Sequence, residues 1–201
     1  MLFRDMVRLA GRMKVALRTG LLMPSMEEKM TECNLFVKMN KERFTPEGVL
    51  YSELEISCGT VAPVAFTAAA VGVDNVLRVS FERNPLHVRA DGMDEVRVYA
   101  FCPALQQGLL SASVFRRDRR LAMALPDEWA GMEVHFYGFV TDAHGNASNT
   151  LYISLREASE AQPEEPAAVS TWHRAEVSDS GSAFQDSIQK ESPHGGGAGV
   201  G

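Results

Sequence analysis

The side chains that enzymes use for catalysis are scattered along this chain instead of forming motifs. No phosphate-binding loop, dinucleotide fingerprint, zinc-protease helix or nucleophile elbow occurs in its 201 residues. The histidines stand singly and are His87, His135, His144, His173 and His194. We therefore predict no catalytic residues and no enzymatic activity. An enzyme with an unfamiliar site is kept only as the last of three functional hypotheses.

Metal and cofactor chemistry has little support in the sequence. Asp142, His144 and Asn146 carry cation-ligand atoms, but the same residue types are typical of a turn. The cysteines are odd in number and contain no CxxC pair; they are Cys33, Cys58 and Cys102. We interpret them as free, partly buried thiols, which fits a reducing compartment. The sequence predicts no bound metal and no cofactor.

Two local features point to binding instead. The densest charge cluster, Arg116–Arg120, falls where a tight hairpin turn is predicted. Exposed basic residues there are typical of solubility and edge protection, and a phosphate or acidic partner is the alternative. Trp129 follows a Pro-Asp-Glu turn. It either plugs the end of the fold or offers a stacking platform for a sugar.

Charge is distributed unevenly along the chain. The net charge is −6, with +4 in residues 1–20, −6 in residues 157–201 and −4 in between. A nucleic-acid partner for the body is disfavoured, because phosphate contacts need a basic face. The composition, 45% hydrophobic and 23% charged, is typical of a globular domain with appendages.

Targeting signals are not evident. The apolar stretches are too short for a transmembrane helix. Charges that begin at Arg4 and Asp5 interrupt any apolar core of a secretory signal. The compartment stays open, with the cytoplasm as the default.

The first 40 residues have helical periodicity. One predicted helix covers residues 2–19, with its apolar stripe at Leu2, Met6, Leu9, Met13 and Leu17. Ser25 and Glu28 predict a capping box that opens a second helix, which ends near Asn40. The stripe of that helix comprises Met26, Met30, Cys33 and Val37. The basic first helix either docks on the rest of the fold or lies on a membrane surface.

From about residue 49 the period changes to two. The predicted strands are 53–58, 77–82, 95–102, 109–115, 120–125, 132–141 and 149–155. Seven antiparallel strands predict a mainly β fold, an immunoglobulin- or fibronectin-III-like sandwich. The expected domains are a helical extension (1–44), the sandwich (49–156) and an acidic Gly/Ser/Pro-rich tail (157–201). The tail is predicted to be disordered, because it has too few apolar residues to form a core.

Several short runs resemble a bacterial domain family of unknown function. They are 33–40 (CNLFVKMN), 51–59 (YSELEISCG), 125–131 (LPDEWAG), 134–137 (VHFY) and 145–150 (GNASNT). The resemblance covers residues 1–155 and implies a helical part followed by a sandwich, with no established activity. Family members begin with a further Gly-rich segment, so this chain either starts late or has lost it. Leu125-Pro126 and residues 141–146 also resemble the last strands of bacterial fibronectin-III and immunoglobulin-like modules.

One predicted sheet face is unusually aromatic. If strands 95–102, 132–141 and 149–155 lie side by side, alternation sends one set of side chains away from the core. That set is Tyr99, Phe101, His135, Tyr137, Phe139 and Tyr152. An open apolar face of this size is rare, so we expect a cover: the N-terminal helices, an intermolecular partner, or a sugar or other ligand.

The leading hypothesis is a non-catalytic structural or protein-interaction module. Such a module would belong to a cell-surface, secreted or phage-like assembly, and it would bind a protein partner or a second copy of itself. The alternative is a carbohydrate-binding module that uses exposed aromatic side chains.

Overall fold

The computed structural model describes residues 2–83 and 90–155. These residues belong to one compact unit, Met1–Ala161. The predicted tail 157–201, with His173 and His194, lies outside the described residues, and so does His87.

The N-terminal part is helical, as predicted, but it contains four short helices. They are α1 (Leu2–Arg12), α2 (Lys14–Gly20), α3 (Leu22–Glu27) and α4 (Glu32–Asn40). Met6, Leu9, Met13 and Leu17 of the predicted first stripe are all buried. None of the helices in the described part of the chain has the length and apolar character needed to cross a membrane.

The predicted capping box at Ser25 is wrong. Ser25 lies inside α3, and its hydroxyl donates to the carbonyl of Leu22 at 2.8 Å. Lys29 has a φ of 55°, which ends the helical path. Thr31 caps α4 instead, accepting a hydrogen bond from the amide of Asn34 at 3.2 Å. Because of this break Met26 is exposed, and the buried residues of α4 are Leu35, Phe36 and Asn40.

The β structure is antiparallel, as predicted. A short hairpin, β1 (Phe44–Thr45) and β2 (Gly48–Val49), follows the helices. The small sheet has the order β3-β4-β8, formed by Ala65–Val71, Val76–Glu82 and Arg120–Ala124. The large sheet contains β5 (Glu95–Cys102), β6 (Gln107–Leu110), β7 (Val114–Phe115), β9 (His135–Thr141) and β10 (Leu151–Ile153). Its order is β10-β9-β5-β6, with β7 also pairing with β5, so the three aromatic strands are indeed neighbours.

The strand count of seven is not confirmed, since the described residues form ten strands in three sheets. Residues 53–58 form no strand; a 3₁₀ turn (Tyr51–Glu53) leads into an extended segment. The predicted strand 109–115 is split into β6 and β7 at Ser111, whose hydroxyl accepts from the amide of Val98 at 3.0 Å. Strand β3 has no period-two pattern, because it is largely alanine, which strands disfavour.

One apolar core joins the two larger sheets. Its buried members are Val61, Val64, Ala69, Leu77, Val79, Phe81, Val96, Val98, Ala100, Cys102, Leu121, Met123, Leu125, Trp129, Phe136, Val140 and Ile153. The sheets approach so closely that a Cβ added at Gly138 would lie 2.2 Å from the ring of Phe66. Leu155, which strand alternation from Ile153 would place toward this core, is 43% exposed because β10 ends at Ile153.

Two helix glycines show how closely the helices pack on the rest of the fold. A Cβ at Gly20 would lie 2.6 Å from the carbonyl oxygen of Ile56, whereas one at Gly11 meets no atom within 4 Å. We expect Gly20→Ala to lower the free energy of unfolding by about 1–3 kcal/mol, because backbone must move. Gly11→Ala should raise it by about 0.5–1 kcal/mol through helix propensity. Denaturant unfolding of both variants measures the difference, and equal effects would contradict a close contact at Gly20.

Candidate interaction face

The six aromatic positions lie on one face of the large sheet, away from the inter-sheet core. In the sheet register Tyr99 lies opposite Tyr137, and Phe101 lies opposite His135. Tyr152 of β10 lies on the other side of Tyr137. Phe139 is the sixth member, on the same strand as His135 and Tyr137. The structure therefore brings all six together.

The N-terminal helices cover this face. Tyr99, Phe101, Tyr137 and Phe139 are each at most 1% exposed. They form a second hydrophobic cluster with Met6, Leu9, Ala10, Met13, Ala16, Leu17, Leu21, Leu35, Phe36, Phe44, Leu54 and Ile56. His135 is 8% exposed and Tyr152 is 36% exposed. An outside partner would therefore meet only the edge of the face, at Tyr152.

The tyrosines are packing residues in this arrangement. The hydroxyl of Tyr137 donates to the carbonyl of Tyr51 at 2.7 Å. Tyr99 packs over Gly108, and its buried hydroxyl has no hydrogen-bond partner among the described residues. Burial raises the pKa of both Tyr99 and Tyr137, because a phenolate loses its hydration there. Both side chains stay neutral.

His135 lies at the edge of the face, among polar groups. Its ring stacks on Tyr51 with centroids 4.6 Å apart, and Nδ1 lies 2.9 Å from the hydroxyl of Tyr152. Nε2 lies 3.5 Å from a carboxylate oxygen of Glu133. Burial lowers the pKa of His135 below its ordinary value of 6.5, and Glu133 offsets part of this shift.

The arrangement Glu133–His135–Tyr152 has the order of a proton relay, but its pKa values oppose one. Burial, with the charge of Glu133, raises the pKa of Tyr152, so the phenol is not activated as a nucleophile or base. Of the neighbours of His135, the sequence could have indicated Glu133, because residues two apart in an extended chain lie on the same side. It could not have indicated Tyr51, which lies in a 3₁₀ turn far from His135 in the sequence.

In the Asp142 turn, the polar groups that could have bound a cation are hydrogen-bonded to one another. The Asp142 carboxylate accepts from the amides of His144 and Asn146, both at 2.9 Å, and from the Asn146 side chain at 2.8 Å. Burial alone would raise the pKa of Asp142, but these hydrogen bonds lower it overall. Across residues 2–83 and 90–155, no three His, Cys, Asp or Glu side chains are placed to bind a metal ion.

The interpretation of Arg116–Arg120 as an exposed hairpin turn is wrong in two respects. The connection is not a hairpin, because it crosses from the large sheet (β7) to the small sheet (β8), and its first residue is buried. Arg116 is 1% exposed and binds Asp94 through Nε at 3.2 Å and Nη2 at 3.0 Å. Nη2 also donates to the carbonyl of Ala62 at 2.5 Å. Arg117 remains exposed and lies over the ring of Phe115, 5.0 Å from its centroid.

Trp129 and the cysteines are also structural in their surroundings. Trp129 is 2% exposed within the inter-sheet core, and its Nε1 donates to Gln107 at 3.1 Å, which leaves no ring face for a sugar. The three cysteines are free. Burial raises the thiol pKa of Cys33 and of Cys58, which makes both less reactive at neutral pH.

The buried His135 makes stability depend on pH. In the unfolded chain the imidazole titrates near 6.5, while burial keeps it neutral in the fold to lower pH. The contribution of the neutral His135 to the free energy of unfolding is therefore fully present above about pH 6.5. It is lost as the pH falls from there toward the pKa of His135 in the folded protein. We expect His135→Asn to flatten this fall, measured as the melting temperature between about pH 7.5 and 5. Parallel curves for the two proteins would contradict the assignment.

The Arg116–Asp94 pair should be costly to break. We expect Arg116→Met to lower the free energy of unfolding by about 3–5 kcal/mol, because it leaves a buried carboxylate without its cation. Removing both charges in Arg116→Met with Asp94→Leu should recover part of the loss. Arg117→Met, next in the chain but exposed, should cost no more than about 1 kcal/mol. A small effect of Arg116→Met in denaturant unfolding would show that the pair does not hold this end of the fold.

The chain matches no family model and no curated protein. The resemblance to a bacterial family therefore stays a prediction. Among solved structures, it is similar to the solution structure of the fn3 domain of human collagen alpha-1(XX) chain, with 19% identity and a TM-score of 0.35. The match covers 54% of this chain and 92% of that domain.

Proposed function

We propose that this protein is a non-catalytic structural module that assembles with a second copy of itself through the open edge of the small sheet. The observation that supports this is strand β3. Its seven residues, Ala65–Val71, carry no charge and no proline. Within the described residues β3 pairs only with β4, so its other edge offers unpaired backbone amides and carbonyls.

The other edge strands have features that discourage pairing. Strand β8 begins with Arg120, while β6 and β10 are only four and three residues long. Natural sheets protect their edges by charge, by short strands or by bulges. Strand β3 has only a register shift between Phe66 and Ala68, which leaves Ala68–Val71 regularly paired to β4.

A second copy fits this edge by symmetry. Two β3 strands that run antiparallel across a two-fold axis present the same surface to each other, so every contact is made twice. The joined small sheets would form one continuous sheet of six strands, twice the three in one copy. A module of this kind would serve in a cell-surface, secreted or phage-like assembly.

Carbohydrate binding has less support. It needs exposed aromatic rings, and among the six candidate residues only Tyr152 reaches 36% exposure. The grooves beside Tyr152 are lined by Phe66 and the small residues of β3. The same surface suits an added strand better, because small side chains let a second backbone approach.

We also infer membership of the bacterial family that the short motifs resemble. Three of those motifs contact one another in the fold, which gives a structural reason for their occurring together in one sequence. Asn40 of the first binds the amide of Glu55 in the second at 2.8 Å. Thr150, from the motif at 145–150, binds the amides of Ile56 and Ser57 at 2.9 and 2.8 Å.

Self-association can be measured by light scattering during size-exclusion chromatography over a range of concentrations. We expect the full chain to form dimers as its concentration rises and Ala68→Lys to remain monomeric, because a lysine on the edge opposes strand pairing. Ala124→Lys is the matched control, an exposed alanine on β8 at the opposite edge of the same sheet. It should dimerise like the parent chain.

A parent chain that stays monomeric at the highest concentration would overturn the proposal. So would an equal loss of dimer in Ala68→Lys and Ala124→Lys, since that result would place the contact away from β3.

A further inference from the structure

The first two helices have a second face that the fold does not use. Their inner stripe is buried against the large sheet, yet Phe3, Val7 and Val15 point outward and are 67%, 48% and 63% exposed. Phe3 and Val7 are four residues apart on α1 and therefore lie on one side of it, and Val15 belongs to α2. Gly11, between Val7 and Val15, has no atom within 4 Å of where its Cβ would be. This outward face is therefore convex and open.

The exposed surface of these two helices is strongly basic. Its cations are Arg4, Arg8, Arg12, Lys14 and Arg18. Within residues 2–83 and 90–155, Arg8 is the only one of these cations with a carboxylate oxygen within 4.0 Å, that of Asp5. Exposed charges are often solvated without a role, but here they alternate with large apolar side chains that packing leaves uncovered. Internal ion pairing does not explain them.

We propose that the outward face of α1 and α2 binds the surface of an anionic lipid bilayer. Basic residues near such a surface each strengthen binding about fivefold, and apolar side chains between them enter the headgroup region. The chemistry matches this partner, since residues 1–20 carry a net charge of +4 while residues 21–156 carry −4. The body would be repelled and would keep the helices toward the lipid.

A convex helix face suits a bilayer better than an acidic peptide. Peptides bind in grooves or along sheet edges, where their own backbone or side chains are enclosed. A bilayer needs no groove, because its lipids adapt to protruding side chains such as Phe3 and Val15. The site goes beyond the proposed self-association, because it lies on the helical side of the large sheet and β3 belongs to the other sheet.

The test is sedimentation of the full chain with vesicles of phosphatidylcholine alone or with about 30% phosphatidylglycerol. We expect binding only to the anionic vesicles, weakened by salt. Arg4→Gln with Arg18→Gln should weaken it about thirtyfold. Phe3→Ser with Val15→Ser should also weaken it. All four positions are exposed, so the variants should keep the parent melting temperature.

The matched control removes two exposed charges elsewhere, in Arg117→Gln with Arg120→Gln, and should bind like the parent chain. Ala68→Lys should bind equally well, which separates this site from the dimer edge. No binding to anionic vesicles would overturn the proposal, as would an equal loss in the control pair. Binding to poly-glutamate but not to vesicles would overturn it in favour of an acidic protein partner.

Discussion

The fold depends on how the backbone of residues 54–58 is satisfied. This segment links the helices to the sandwich but belongs to no sheet, so its polar groups need partners elsewhere. The Asn40 side chain donates to the carbonyl of Glu55 and accepts from its amide. The Thr150 hydroxyl likewise donates to the carbonyl of Ser57 and accepts from its amide. The carbonyl of Gly20 accepts from the amide of Cys58. Helix α4, helix α2 and the last loop are thereby joined through one strand-like segment.

This junction lets the large sheet be buried on both faces. All seven residues of β9 are buried, those facing the small sheet by the sandwich core and those facing the helices by the second cluster. A sheet covered on both sides has no face left for a ligand. Among the described residues, exposed surface is then left on strand edges, loop ends, the outer face of the small sheet and the outer side of the helices. The two proposals use a strand edge and the outer side of the helices.

Hydrophobic periodicity predicted the elements whose side-chain pattern is set by apolar burial alone. The stripe at Met6, Leu9 and Met13, and the alternation along β5 and β9, follow directly from burying apolar side chains. Residues 53–58 also alternate, yet their partners are the side chains of Asn40 and Thr150, which no local pattern indicates. Burial of Arg116 was equally hidden, because its partner Asp94 lies on a different loop and a charged run is normally exposed. The alanine-rich β3 exists through its pairing with β4, which overrides the propensity of its residues.

The order in which the chain is made has a consequence for the doubly covered sheet. The helical stripe ending at Leu17 is synthesised about 120 residues before the His135–Thr141 strand that it covers. At ribosomal speeds of about 5–20 residues per second, the stripe waits for several seconds or more without its partner. During that time its methionine and leucine side chains are exposed to chaperones and to other nascent chains. The helical stripe that covers the aromatic face in the folded protein is thus the first apolar surface to be synthesised, and it must be kept from aggregating until its partner strand is made.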